Sequence, residues 1–282
     1  MNIDLREALN TISDVVQNRP APIREFDQIY MKVGDMVIQS EYIARVFNGY
    51  EVVFIGDGDA ISSCVMHLKE QNIIDYGPSS IHVLDFDQRI VNSVNKFASE
   101  NKLINELSAE LYNVADPLPI SLRLSKNAFY TNPPWGASNE GESVAAFVQR
   151  GIEAIKEGGY GAIVIADDPV LQWTHEVLHN TQKLVIDSGF VINEMIPGLH
   201  SYHLDDAPDL KSCTLMIRQI KRVESCRPNV KLCNHKLNNF YGKNSPLIYR
   251  YIKDLTGLNY GKAHDGSYKL EPLEIDNDIH QA

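Results

Sequence analysis

The spacing of apolar residues changes period along the chain, and those changes divide it. In residues 2–17, Ile3, Leu5, Leu9, Ile12, Val15 and Val16 recur at roughly helical spacing, which predicts an amphipathic helix. Arg19-Pro20-Ala21-Pro22 ends it, because proline has no N–H to donate and its ring clashes with a continuing helix. Phe26-Asp27-Gln28-Ile29-Tyr30 follows, then a second helical piece from Val37 to Phe47 and a turn at Asn48-Gly49. Val52 to Ile55 is an unbroken apolar run that stops on Gly56-Asp57-Gly58-Asp59, with a helical pattern from Ala60 to Ile74. A short apolar run, a glycine turn and a helix form the strand–turn–helix opening of a nucleotide-binding α/β domain.

Six more strand-like runs follow. They are Ile81–Asp85, Leu111–Val114, Ala128–Thr131, Gly161–Ala166, Phe190–Ile196 and Ser212–Gln219. Helical patterns cover Val144–Lys156 and Leu171–Asp187. Strands alternating with helices of this length predict a doubly wound, mostly parallel α/β sheet of seven strands. The last two strands lack an intervening helix, so one antiparallel strand is expected at the far edge. Three segments result: a helical arm or lid over 1–48, a ligand-binding domain over 49–222, and an extension over 223–282. Residues 238–262 are rich in Asn, Tyr, Gly and Lys, and 263–282 are polar and expected to be loose.

Composition narrows the function. Of 282 residues 44% are hydrophobic, enough for one large core. The net charge is −11, and no Lys/Arg run exceeds the pair Lys221-Arg222. That balance disfavours a nucleic-acid partner and suits a small cationic ligand. Cys64, Cys213, Cys226 and Cys233 make no CxxC pair and no Cys/His cluster of zinc spacing, so no metal is expected. No apolar run reaches the about 18 residues of a membrane span, and the N-terminus does not read as a signal peptide. A cytoplasmic protein without a membrane partner is expected; a monomer and a homodimer are both compatible with the sequence.

In a doubly wound sheet, ligands sit at the carboxyl ends of the strands. Asp57 and Asp59, Asp85 with Asp87, Asp116, Asn132, and Asp167 with Asp168 all stand there. Gly56 and Gly58 would let a ligand approach the backbone, or they form a plain tight turn. Asp85, followed by Phe86, is placed to accept two ribose hydroxyl protons, or else it caps a helix. Asp116 stands where an adenine amino group could be held, or it caps the turn Asp116-Pro117. At Asn132-Pro133-Pro134-Trp135 two prolines stiffen the backbone. The Asn132 side-chain carbonyl and the Pro133 peptide can then accept hydrogen bonds from an amine and aim its lone pair at an electrophile. Trp135 offers a face to a ring or a cation; the alternative is a rigid turn with a core tryptophan. Asp167, Asp168 and the segment Ser201-Tyr202-His203-Leu204-Asp205-Asp206 are candidates for the acceptor side. Carboxylates there would attract an ammonium, and Tyr202 or His203 could position it or relay a proton; a solvated loop is the alternative.

Asn-Pro-Pro-Trp after a fourth strand resembles the amino-group methyltransferases that use S-adenosylmethionine. A wider set is more specific. Phe26-Asp27-Gln28, Gly56-Asp57-Gly58-Asp59, Val83-Leu84-Asp85-Phe86-Asp87, Asp116-Pro117-Leu118-Pro119, Asn132-Pro133-Pro134 and Phe147-Val148-Gln149-Arg150-Gly151-Ile152 occur in that order. Together they resemble the branched-chain polyamine synthases, the bis-aminopropyltransferase family, over about residues 20–220. The resemblance implies the class I S-adenosylmethionine-dependent methyltransferase type of fold. It also implies decarboxylated S-adenosylmethionine as donor and a polyamine amine as acceptor. Gly56, Asp57, Gly58, Asp59, Asp85, Phe86 and Asp116 would bind the donor, Asn132 and Pro133 would hold the reacting nitrogen, and Trp135, Asp167, Asp168, Tyr202 and His203 would line the acceptor pocket.

Two positions depart from the family pattern. Gly58 replaces the middle acid of Gly-Asp-Asp-Asp, and Asn132 replaces the acid of Asp-Pro-Pro. A neutral amide cannot act as a base. That keeps a second reading open, N-methylation of a small amine from intact S-adenosylmethionine. A third is a non-catalytic nucleotide-binding module.

Overall fold

The computed structural model describes residues 3–205, 207–226, 228–256 and 267–274. Its central sheet has seven strands: β1 (Glu51–Ile55), β2 (Ser80–Asp85), β3 (Leu107–Leu111), β4 (Lys126–Thr131), β5 (Ile155–Ala166), β6 (Phe190–Ser201) and β7 (Lys211–Gln219). Their order is β3-β2-β1-β4-β5-β7-β6. All pairings from β3 to β5 are parallel, and β7 runs antiparallel to both neighbours. The α/β class and the mostly parallel seven-stranded sheet are as expected. The antiparallel strand is placed differently: β7 inserts between β5 and β6, and β6 forms the edge. A β6–β7 hairpin folding back onto β5 needs no helix between its strands, which is the pattern the sequence carries. The third strand also lies earlier than expected, at Leu107–Leu111 rather than Leu111–Val114, and Tyr112, Asn113 and Val114 form the loop leaving the sheet.

Physical causes are visible element by element. Val52 to Ile55 of β1 are wholly buried, because β1 has a strand on each side and helices on both faces, so an unbroken apolar run is required. Helix α1 (Leu5–Asn18) starts where Asp4 Oδ1 accepts from Arg6 N at 2.9 Å and Glu7 N at 3.1 Å. Helix α2 (Val33–Val46) and helix α3 (Ile61–Glu70) pack with α1 on one side of the sheet. Helix α4 (Gln88–Glu100) joins β2 to β3 and is capped by Asp87, which accepts from Arg89 N at 2.9 Å. Helices α5 (Glu142–Ala154) and α6 (Gln172–Asp187) complete the layers.

Both flanking segments are stitched to the carboxyl ends of the strands. Lys32 N donates to Ser201 O at 2.9 Å and His203 N to Tyr30 O at 3.1 Å, so the arm runs along the end of β6. Beyond the sheet, the short helix α7 (Asn234–Leu237) precedes a hairpin, β8 (Tyr249–Asp254) and β9 (Tyr268–Pro272). Ile252 N donates to Phe86 O at 3.1 Å, which docks the hairpin beside the end of β2. Part of the stretch read as loose is therefore strand β9, and most of the remainder lies outside the described residues. Among the described residues no helix is long and apolar enough to cross a membrane.

Candidate active site

A cavity opens at the carboxyl ends of β1, β2 and β4, with about 830 Å³ of empty space when its solvent-open mouth is included. Its floor is the glycine turn. Gly56 has φ +75°, and a Cβ there would come within 3.1 Å of Phe147 Cε1, so both the backbone angle and the close approach of α5 call for glycine. Gly58 faces Tyr30, whose Cε1 lies 3.3 Å from where a Cβ would be.

Asp85 organises the turn. Its Oδ2 accepts from Asp57 N and its Oδ1 from Asp87 N, both at 2.9 Å. Each oxygen keeps a further lone pair for a ligand hydroxyl. Burial and then the Asp87 charge push its pKa up to about 7, against the pull of the two backbone N–H groups. Asp57 turns its carboxylate away from the cavity into α3, where it accepts from Ile61 N at 2.9 Å and from the Ser62 N–H and O–H. Asp59 accepts from Met31 N and from Asn132 Nδ2, each at 2.7 Å, and lies 3.8 Å from Arg19. Burial raises Asp59 above the usual carboxylate range, opposed first by Arg19.

The Asn132-Pro133-Pro134-Trp135 loop forms the next wall. With its amide nitrogen given to Asp59, Asn132 has its carbonyl oxygen left to accept. Trp135 packs edge-on against Tyr202, with ring centroids 5.0 Å apart. Behind Tyr202 runs a buried chain: Tyr202 OH to Ser212 Oγ at 2.7 Å, Ser212 Oγ to His200 Nδ1 at 2.8 Å, and His200 Nε2 to Gln39 Oε1 at 2.9 Å. Gln39 Oε1 can only accept, so His200 Nε2 carries the proton and Nδ1 accepts from Ser212. Tyr202 must then donate to Ser212, and its phenol oxygen can only accept on the cavity side. Burial lowers His200 to about 4, which keeps it neutral and holds this direction.

Aromatic rings close the opposite side. Phe26 meets Phe86, Tyr241 and Tyr249 edge-on at 5.5, 5.4 and 6.0 Å, and Phe86 stacks on Tyr241 at 6.0 Å. Tyr112, Asn113 and Val114 line the wall next to Ile90.

Of the residues singled out from sequence, Gly56, Asp57, Gly58, Asp59, Asp85, Phe86, Asn132, Pro133, Trp135 and Tyr202 line this cavity. Four others do not. Asp116 Oδ2 is held by Arg250 Nε at 3.1 Å and Nη2 at 2.8 Å. Asp167 accepts from Gly198 N at 3.1 Å, and Asp168 caps its own turn by accepting from Val170 N at 2.9 Å. His203 is exposed and joins the arm through its backbone. Asp206 lies outside the described residues. The cavity adds Asp27, Tyr30, Asn113 and Tyr241, to which the sequence reading gives no role. Asp27 stood within a motif that could have pointed to it. Tyr241 carries no local signal, because only the return of the C-terminal segment brings it to β2.

Among the described residues the lining contains four aspartates, Asp27, Asp57, Asp59 and Asp85, and no lysine, arginine or histidine. Arg19 stands behind it, donating to Asp59 O at 2.8 Å with its guanidinium 4.0 Å over the Tyr30 ring. Among the described residues no group of His, Cys, Asp and Glu could hold a metal ion.

The family model for the branched-chain polyamine synthase A C-terminal domain matches residues 7–246. The chain belongs to that family. Among similar sequences, the N(4)-bis(aminopropyl)spermidine synthase of Thermococcus kodakarensis is 27% identical over 208 residues, 70% of this chain and 53% of the relative. A synthase of the same name from Methanocaldococcus jannaschii is 25% identical over 203 residues, again 70% and 53%. The chain spans about half the length of these two curated relatives. The fold is shared with the branched-chain polyamine synthase of Thermus thermophilus, solved with N4-aminopropylspermidine and 5′-methylthioadenosine. That likeness has a TM-score of 0.68 at 22% identity, over 82% of this chain and 68% of the other. Within the family pattern, Phe147 of the Phe147–Ile152 motif packs against Gly56. Arg150 ties the cavity wall to the chain beyond the sheet, donating from Nε to Val114 O at 3.0 Å and from Nη2 to Val230 O at 2.7 Å.

Proposed function

We propose that this chain is an aminopropyltransferase, moving an aminopropyl group from decarboxylated S-adenosylmethionine to an amine nitrogen of a polyamine-like acceptor. The single observation that carries the reading is the make-up of the lining: four aspartates and, among the described residues, no cationic side chain. A donor that keeps its carboxylate would bring an anion to the Asp57–Asp59 end, where the nearby cation, Arg19, stands behind the lining and is already engaged by Asp59. A decarboxylated donor brings an ammonium and a sulfonium and no anion, which suits a lining whose ionisable side chains include four acids. Family membership and the names of the relatives support the same choice.

In this reading Asp85 accepts from the ribose hydroxyls, and Phe86, Tyr241 and Tyr112 enclose the adenosine. Asn132 Oδ1 and the Pro133 peptide orient the acceptor nitrogen. Its lone pair forms a C–N bond at the carbon next to the sulfonium as the C–S bond breaks, and the bonding pair leaves on sulfur as a neutral thioether. The leaving group is already good, so positioning and exclusion of water supply most of the rate.

Asn132 also supports a second reading, methyl transfer from intact S-adenosylmethionine to a neutral amine, because an amide serves an acceptor that arrives without a proton. Calorimetry with the two donors side by side at one salt concentration separates them. The aminopropyl reading expects the decarboxylated donor to bind at least tenfold tighter. Tighter binding of intact S-adenosylmethionine overturns it in favour of methylation, and binding of neither leaves a non-catalytic module.

A further inference from the structure

With an amide at position 132, the acceptor's positive charge needs another partner. Three of the four aspartates in the cavity are committed elsewhere. Asp57 faces into α3, Asp59 is shared among Met31 N, Asn132 and Arg19, and Asp85 holds the glycine turn. Asp27 is different. It follows a single 3-10 turn, Arg24–Phe26, and sits in the left-handed region at φ 56°. Aspartate adopts that conformation more readily than most residues. It carries the carboxylate into the cavity between the Asn132-Pro133-Pro134-Trp135 loop and the aromatic wall. The Trp135 backbone N–H stabilises it from one side. From the other, Tyr241 feels the charges of both Asp27 and Asp85.

We propose that Asp27 is the acceptor-binding carboxylate of this site, pairing with the aliphatic ammonium of the polyamine and taking its proton before transfer. The inference rests on the aminopropyl reading and deepens it by naming the residue that replaces the acid missing at position 132. The balance is simple. The ammonium N–H proton passes to a carboxylate oxygen of Asp27 and the nitrogen keeps its electron pair. That pair then makes the C–N bond while the C–S pair departs on sulfur. Asp27 later releases its proton to solvent. The carboxylate offers an anion for the charge of an alkylammonium, and Trp135 and Tyr241 in the same lining offer apolar surface for its methylenes.

Burial pushes Asp27 up to about 7, with the Arg24 charge and the Trp135 N–H pulling it down. A base near neutrality suits proton transfer at neutral pH. Arg24 on its own turn, Tyr241 and, beyond it, Asp85 are the charged or titratable groups that act with it.

The test is D27N in the full chain. Asparagine adopts the left-handed region readily, so the turn is retained while the charge is removed. Calorimetry with 5′-methylthioadenosine probes the donor side, and spermidine added to the chain saturated with 5′-methylthioadenosine probes the acceptor side. The expected result is 5′-methylthioadenosine affinity within twofold of wild type and spermidine affinity reduced at least tenfold. Equal spermidine binding by wild type and D27N overturns the assignment alone. A parallel loss of both ligands also overturns it, showing that Asp27 merely shapes the cavity. If the wild-type chain binds neither spermidine nor simple secondary amines, the aminopropyl reading and the Asp27 assignment fail together.

Discussion

Asn132 Nδ2 donates to Asp59 Oδ2 across 2.7 Å, so the end of β4 is locked to the glycine turn after β1 by an amide facing a carboxylate. N132D would place two carboxylates at that distance, and they would have to share a proton. In the folded state the pair would titrate above the about 3.9 of an unfolded aspartate. The penalty is therefore small near pH 4 and grows as pH rises through the pair's raised pKa. Relative to wild type, N132D is expected to lose about 1–3 kcal/mol at pH 8 and clearly less at pH 5. Urea unfolding at the two pH values measures this, and an equal loss at both counts against the shared proton.

Asp85 predicts a second pH dependence. Its folded pKa is about 7, above the unfolded value. Its contribution to stability is fully present below about pH 4 and is lost as pH rises through about 7. The stability curve of D85N should be flatter than that of wild type between those limits. Binding has the opposite sign, because ribose hydroxyls prefer the ionised carboxylate. Affinity for 5′-methylthioadenosine should rise from pH 6 to pH 8 in wild type. D85N should weaken it by about 1.5–3 kcal/mol, with little change across the same range.

Two ion pairs separate a structural charge from a superficial one. Arg150 is 1% exposed, and its Nη1 lies 2.8 Å from the buried Glu153 Oε2. R150A leaves a buried carboxylate unpaired and should cost about 3–5 kcal/mol. The Arg250 side chain is 40% exposed in its pair with Asp116, and R250A should cost under about 1 kcal/mol. Chemical denaturation of both variants tests the contrast; a large loss in R250A would show that the pair anchors the β8–β9 hairpin.

Gly58 and Tyr30 form a tight pair, since a Cβ on residue 58 would lie 3.3 Å from Tyr30 Cε1. G58A should destabilise by about 1–2 kcal/mol through crowding. A double-mutant cycle with Y30A should recover most of that cost. Absence of coupling in the cycle would mean that the turn yields instead of the ring.

Much of the sheet was legible because strands buried on both faces leave unbroken apolar runs, as in Val52–Ile55. The glycine turn, the Asn132-Pro133-Pro134-Trp135 loop and Asp85 were legible because their chemistry is local. Helix α4 is absent from the sequence reading although Ile90, Val91, Val94, Phe97 and Ala98 have helical spacing and are buried; that signal was present. The β8–β9 hairpin had no such signal, since only Ile252 in β8 is fully buried and the strand pairs with a partner more than a dozen residues away. Asp116, Asp167, Asp168 and His203 share one difficulty. A residue following a strand can point into the cleft, cap its own loop or meet solvent, and sequence position does not distinguish the three. Tyr241 and Asp27 come from opposite ends of the chain, and their meeting at the cavity is a property of topology alone.

Phe26 touches Phe86, Tyr241 and Tyr249, so one ring joins the arm, the end of β2 and the segment after β7. During synthesis on a ribosome, the seven-stranded scaffold has all its strands once Gln219 has emerged, yet the aromatic wall cannot close until Tyr249 follows. Nascent chain of intermediate length would hold a formed sheet with its cleft open on one side. A complete cavity is thus acquired late, well after the order of the strands has been decided.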